Sequence, residues 1–127
     1  MLFRSAFANG TAIRYLDLND ATGSGGGHPS DALAAVLAAA ETTKTDGKTL
    51  LLAMVVVYEL YLGFFAGMRI RNRGWDHLVY TVLAAAAGVS RVLKLDHAQT
   101  AHALSLALTP NMALEVVRRG QIGRAHV

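Results

Sequence analysis

The sequence predicts an all-α fold, a helical bundle of apolar helices separated by short polar or glycine-rich breaks. Three observations carry that prediction. Hydrophobic residues make up 53% of the 127 positions, with alanine, leucine and valine foremost, and alanine and leucine favour helix strongly. No segment alternates apolar and polar residues with the period of two that a half-buried strand needs. Glycine, proline, asparagine and aspartate fall between the apolar runs, where they punctuate a chain.

Each element follows in order. Ala6 to Asn19 places apolar residues at Phe7, Ile13, Leu16 and Leu18 and reads as a helix. Asp20 to His28 is a loop containing Gly23-Ser24-Gly25-Gly26-Gly27. Pro29 suits the first turn of the next helix, with Ser30 or Asp31 near its start and Ala32 to Thr42 as its body. Asp46 is placed to cap a third helix, which carries the apolar run Leu50 to Met68. Asn72-Arg73-Gly74 breaks the pattern, and Leu78 to Leu95 forms another helix, in which Ala84 to Ala87 permits close approach of a neighbour. Asp96 and Gln99 have capping-box spacing and open a helix through Leu108, which Pro110 ends. A short helix is expected from Met112 to Arg118.

The run Leu50 to Met68 is 19 residues long and could just span a bilayer. Glu59 sits at mid-span, where an ionisable group is costly. Gly63 and Gly67 give a flat surface suited to a helix neighbour, and the following helices are nearly as apolar. The expectation is therefore a buried central helix of a soluble bundle, in which Glu59 needs a partner because a lone buried carboxylate is expensive. A chain this short exposes much of its surface, so apolar patches open to a missing partner surface are expected.

Charge and cysteine content narrow the function classes. The formal charge is +3, without a basic stripe interleaved with aromatics, so nucleic acid is not an expected partner. Cysteine is absent, which leaves no disulfide framework and no thiolate metal site and fits a cytoplasmic protein. The start of the chain shows none of the three regions of a secretory signal. Met1–Ser5 reads as a translated sequencing adapter (GTG CTC TTC CGA TCT, with GTG as start), and Ile122–Val127 as the same adapter on the other strand (ATC GGA AGA GCA CAC GTC). Residues 1–5 and 121–127 are accordingly expected to be adapter-derived, with 6–120 as the partial helical domain. Without Arg4 and Arg124 the formal charge drops from +3 to +1.

Chemistry can sit at few places. His97 and His102 lie five apart on one helix, the wrong spacing for a shared face. His28, in Gly27-His28-Pro29-Ser30-Asp31, and His77, in Gly74-Trp75-Asp76-His77, each follow a sharp break beside an apolar helix. Histidines so placed suit proton transfer near neutral pH; the plainer alternative is that each caps a helix or packs in a turn. Asp17, Asn19 and Asp20 form a polar knot, either part of a metal site with the histidines or a solvated helix end. Their spacing is not that of a calcium loop, and no His-Glu-x-x-His occurs, so no metal is expected. The glycine run lacks the Gly-Lys-Ser/Thr ending of a phosphate loop.

Taken in order, these elements resemble one family. Ala8-Asn9-Gly10 through Leu16-Asp17-Leu18-Asn19-Asp20, then Gly27-His28-Pro29-Ser30-Asp31, then Tyr58-Glu59, then Arg73-Gly74-Trp75-Asp76-His77 are similar to successive motifs of the MmgE/PrpD family, which contains 2-methylcitrate dehydratase. Gly88 through Leu108, Pro110-Asn111-Met112-Ala113-Leu114 and Arg119-Gly120 continue the resemblance. It implies part of an N-terminal helical domain, joined in the intact enzyme to a smaller α/β domain across an active site of Asp, His and Lys residues. By position it implies Asp17, His28 and His77 as catalytic residues and Asn19, Asp20 and Thr22 as substrate-binding residues. The family usually has Thr directly after the acid pair; here Ala21 holds that place and Thr22 follows. The family lysine would fall just beyond Gly120.

The resemblance further implies a cofactor-independent lyase acting on a small tri- or dicarboxylate, cytoplasmic, homodimeric at full length, with no membrane and no nucleic acid as partner. His77 and His28 would be base and acid in no fixed order, and Asp17 would orient a histidine or bind the substrate hydroxyl. Decarboxylation of a cis-aconitate-like substrate, or epimerisation, stands beside dehydration. A non-catalytic helical module or small membrane protein is the reading from another class. Resequencing the source locus without ligated adapters checks the ends: other codons are expected in place of those for 1–5 and 122–127, and finding the same codons in genomic DNA removes the adapter assignment.

Overall fold

The computed structural model describes residues 2–23 and 27–118. The remainder of the glycine loop, Arg119-Gly120 and the 121–127 segment assigned to adapter lie outside the described residues. Helix α1 runs Leu2–Arg14, a 3-10 turn Pro29–Ala32 leads into α2 (Leu33–Thr43), and α3 spans Gly47–Met68. A second 3-10 turn, Ile70–Arg73, precedes α4 (Leu78–Val92), followed by α5 (His97–Leu108) and α6 (Glu115–Arg118). The predicted all-α class holds; Trp75 and Leu114 form an isolated antiparallel bridge, not a sheet.

The caps read from sequence are in place. Asp46 accepts from the Thr49 amide at 2.9 Å and starts α3. Asp96 and Gln99 bond reciprocally at 2.8 and 3.0 Å and start α5, which satisfies amides that have no partner inside the helix.

Two expectations are corrected. The first helix covers Leu2–Arg14 in place of Ala6 to Asn19. It starts earlier, so Phe3, Arg4 and Ser5 belong to its first turns. It stops earlier because Asp17 has a left-handed φ of 52° and because Asn19 and Asp20 bond forward to Ser30 and Asp31, which draws the chain out of the helical path. The long helix α3 is not buried all round. Its enclosed face is the narrow stripe Ala53, Val57 and Tyr61 at i, i+4 and i+8. Glu59 lies off that stripe and is exposed, so water solvates its carboxylate and no buried partner is required. Gly63 and Gly67 meet no neighbour among the described residues. Leu51, Leu52, Val55, Leu62 and Met68 of α3, and Phe3 and Phe7 of α1, are exposed apolar side chains. α3 is long and apolar enough to cross a membrane.

Small residues set the core. α4 packs against α2, α3 and α5, and α1 against α2. Val36, Ala53, Val57 and Ala84 are sealed where α2, α3 and α4 meet. Gly88 lets them meet: a Cβ there would stand 2.6 Å from a Val57 methyl and 2.7 Å from a Val36 methyl. At the other end, Tyr80 packs edge-on to Tyr61 and Phe65, with ring centroids 5.7 and 6.3 Å away. Its hydroxyl accepts from the Ile70 amide at 3.0 Å, which pins the second 3-10 turn to α4. Gly88→Ala is expected to destabilise the protein by about 1–3 kcal/mol through overpacking, read as a lower urea midpoint with unchanged slope.

Candidate active site

The segment before α4 is held from both sides. The Asp76 amide donates to the Ala113 carbonyl at 2.8 Å and the Glu115 amide to the Gly74 carbonyl at 2.9 Å. Glu115, only 5% exposed, receives Arg71 at both carboxylate oxygens, at 3.2 and 2.6 Å, a planar two-point pairing that fixes direction as well as distance. His77 is thus carried on a turn braced by the 113–115 segment. Asp76, 1% exposed, caps α4 by accepting from the Leu78 amide at 2.9 Å. His77 is the formal N-cap residue, yet its side chain makes no cap bond. Its Nδ1 lies 3.3 Å from the Asp76 carboxylate, with Nε2 on the outer edge of the ring.

The loop carrying His28 closes on that Nε2 edge. A Cβ on Gly27 would lie 2.0 Å from His77 Cδ2, 2.6 Å from its Nε2 and 2.4 Å from the Tyr61 hydroxyl. Only glycine allows the backbone so near the imidazole. Thr22 fastens the loop, donating to the Gly27 carbonyl from its amide at 3.0 Å and from its hydroxyl at 3.2 Å. His28 is one residue on, about 3.8 Å along the chain. Its Nδ1 bonds the Asp20 carbonyl. A carbonyl only accepts, so Nδ1 carries the proton and Nε2 is the open nitrogen. His28 also makes no side-chain cap bond to the turn that follows.

The acid knot anchors this loop. Asp20 accepts from the Ser30 amide at 3.2 Å and from the Ser30 hydroxyl, while Asn19 donates to Ser30 at 3.0 Å and to Asp31 at 3.3 Å. The second Asp20 oxygen is buried, with the Tyr58 phenol nearby. Burial first, and Asp20 next, push the Tyr58 hydroxyl up to about 12. Asp17 sits apart. Its carboxylate is 70% exposed and pairs with Arg14 at 3.0 Å; Arg14 also reaches Asp31 at 3.6 Å.

Of the residues named from sequence, the structure gathers His77, His28, Asp20, Asn19 and the loop-closing Thr22 at one pole, with Asp17 at its solvent rim. Sequence reasoning missed Tyr61, Asp76, and the Arg71–Glu115 brace. Tyr61 carried a signal, since it falls four residues after Val57 on the inward stripe. The brace joins residues 44 apart and left no local trace. Among the described residues no three His, Cys, Asp or Glu side chains gather as metal ligands. A cavity of about 390 Å³ opens beside Thr81, lined also by Leu78, Val82 and 110–113. Another of about 400 Å³, between 43–46 and 92–94, does not border the histidines.

The bundle thus brings two imidazoles, a buried carboxylate and the Thr22 hydroxyl to one pole. The chain belongs to the MmgE/PrpD family: it matches the MmgE/PrpD N-terminal domain over residues 2–127. It is 34% identical to the mitochondrial 2-methylcitrate dehydratase of Yarrowia lipolytica, over 91% of this chain and 24% of that protein. It is 37% identical to the "Probable 2-methylcitrate dehydratase" of Saccharomyces cerevisiae, over 91% and 25%, and 32% identical to the 2-methylcitrate dehydratase of Escherichia coli, over 91% and 26%. The chain spans about a quarter of the length of these curated relatives. No solved structure matches it.

Proposed function

We propose that this chain is part of the helical domain of a 2-methylcitrate dehydratase-like hydro-lyase acting on a small tri- or dicarboxylate, cytoplasmic and homodimeric when whole, with no membrane or nucleic acid as partner. Relatives of that name support the substrate class. The observation that carries the acid–base role is the closure of the Gly27–His28 segment on His77, which brings both imidazole-bearing segments to one pole. A base removes the proton next to a carboxylate, its C–H pair becomes the new double bond, and the C–O bond breaks. The departing hydroxide takes a proton from an acid and leaves as water. The Nε2 atoms of His77 and His28 are the two groups, in either order. The open Asp20 oxygen and Asn19 suit a substrate hydroxyl, Thr22 supports the loop, and Asp17 with Arg14 lies at the rim.

The acids Asp20, Asp31 and Asp76 stand at this pole with Asp17 at its rim, and Arg14 pairs with Asp17 and Asp31. This chain alone is inactive on this account.

Because His77 is buried, 7% exposed, truncation to alanine would open a cavity and lower stability whatever its role. His77→Gln and His28→Asn in the full-length protein are the sharper variants. Each is expected to lose about 10²–10⁴-fold in turnover with the melting temperature nearly unchanged. Water loss from 2-methylcitrate, assayed beside decarboxylation of cis-aconitate, separates dehydratase from decarboxylase. Near-normal turnover in both variants removes these histidines from the mechanism.

A further inference from the structure

The turn that carries His77 meets the 113–115 segment through two main-chain rungs. The Asp76 amide donates to the Ala113 carbonyl at 2.8 Å and the Glu115 amide to the Gly74 carbonyl at 2.9 Å, on either side of the Trp75–Leu114 bridge. So short a ladder has little hold of its own. A slip of one residue would send its side chains to the opposite faces, and His77, one residue beyond the Asp76 rung, would move with it. A side-chain bond across the same two segments opposes that slip. The Arg71 guanidinium reaches both Glu115 oxygens, at 3.2 and 2.6 Å. The Arg71 carbonyl accepts from the Gly74 amide at 3.1 Å, so the arginine is tied to the start of the His77 turn. Tyr80 secures the same 3-10 turn to α4 through the Ile70 amide at 3.0 Å.

Stability alone does not account for the pair. Glu115 is buried and the Arg71 side chain about two-thirds covered. Removing such charges from water offsets much of their attraction, and the best-attested use of a buried ion pair is to fix register. Two parallel N–H donors on one carboxylate also fix an angle, which a lysine cannot do. We propose that Arg71 and Glu115 are positioning residues for His77: they set the register of 74–76 on 113–115 and so hold the imidazole at its place against Gly27. This rests on the proposed acid–base role of His77. Neither residue needs to touch substrate, since each acts through the main chain of 74–77.

The test uses full-length enzyme labelled with nitrogen-15 at histidine, with His77→Gln assigning the ring signals. Glu115→Gln keeps the shape and loses the charge; Arg71→Lys keeps the charge and loses the fork. Each is expected to move the His77 ring signals and to lower kcat about 10–100-fold, the cost of misplacing a catalytic group, with KM nearly unchanged. Arg71→Met combined with Glu115→Leu exchanges the pair for apolar groups, which recovers stability without recovering kcat, and serves if the single variants do not fold. Gly88→Ala, about 16 Å along α4 from His77, should lower the melting temperature and leave kcat and the ring signals alone. In the His77→Gln background, Glu115→Gln should cost no further turnover, because residues that act as a unit are not additive. His77 ring signals that stay in place in a folded variant overturn the proposal. So does an unchanged kcat where His77→Gln is itself inactive, or a loss that persists in full in the His77→Gln background. Near-normal turnover in His77→Gln removes the acid–base reading instead, and the ring signals, which need no turnover, then decide the positioning by themselves.

Discussion

The site depends on one steric fact, the approach of the Gly27 backbone to the edge of His77. No side chain of any size fits there, because even a methyl would lie inside the imidazole and against the Tyr61 hydroxyl. That closeness joins two parts of the chain about 50 residues apart into one polar pole. On one side stand Asp20, Ser30 and Thr22, which fix the loop by hydrogen bonds. On the other stand Asp76 and the Arg71–Glu115 pair, which fix the turn. Each imidazole thereby has an oxygen near its Nδ1, the Asp76 carboxylate for His77 and the Asp20 carbonyl for His28.

The bundle beneath it serves the same constraint. α2, α3 and α4 meet through alanines and Gly88, so little bulk stands between their backbones, and aromatic residues fill the end nearest the site. Tyr61 belongs to both regions, its ring in the core and its hydroxyl at the histidine. The outer faces of α1 and α3 carry exposed apolar side chains. Such faces favour association.

Much of the fold was legible because the signals were local. Asp46, and the Asp96–Gln99 pair with its capping spacing, mark helix starts to the residue, and the apolar runs mark the bodies. The end of α1 was misplaced because the hydrogen bonds that divert the chain run from Asn19 and Asp20 to residues about ten further on. Glu59 was read as buried because apolar length alone does not reveal which stripe faces inward; the spacing of Ala53, Val57 and Tyr61 does. At the site, His28 and His77 stood out as histidines after sharp breaks. Their partners did not, since Thr22 to Gly27, Gly27 to His77 and Arg71 to Glu115 are tertiary contacts with no shared sequence pattern.

A double-mutant cycle between Gly27 and His77 measures that closure directly. Urea unfolding of the full-length protein would compare Gly27→Ala, His77→Ala and the double variant with the parent. If the glycine exists to admit the imidazole, Gly27→Ala is strongly destabilising in the parent. It costs less in the His77→Ala background, where the new methyl is relieved of the imidazole though not of the Tyr61 hydroxyl, giving a coupling of about 1–3 kcal/mol. Additive costs in the double variant would show that Gly27 and His77 do not touch, and would contradict the account of the site.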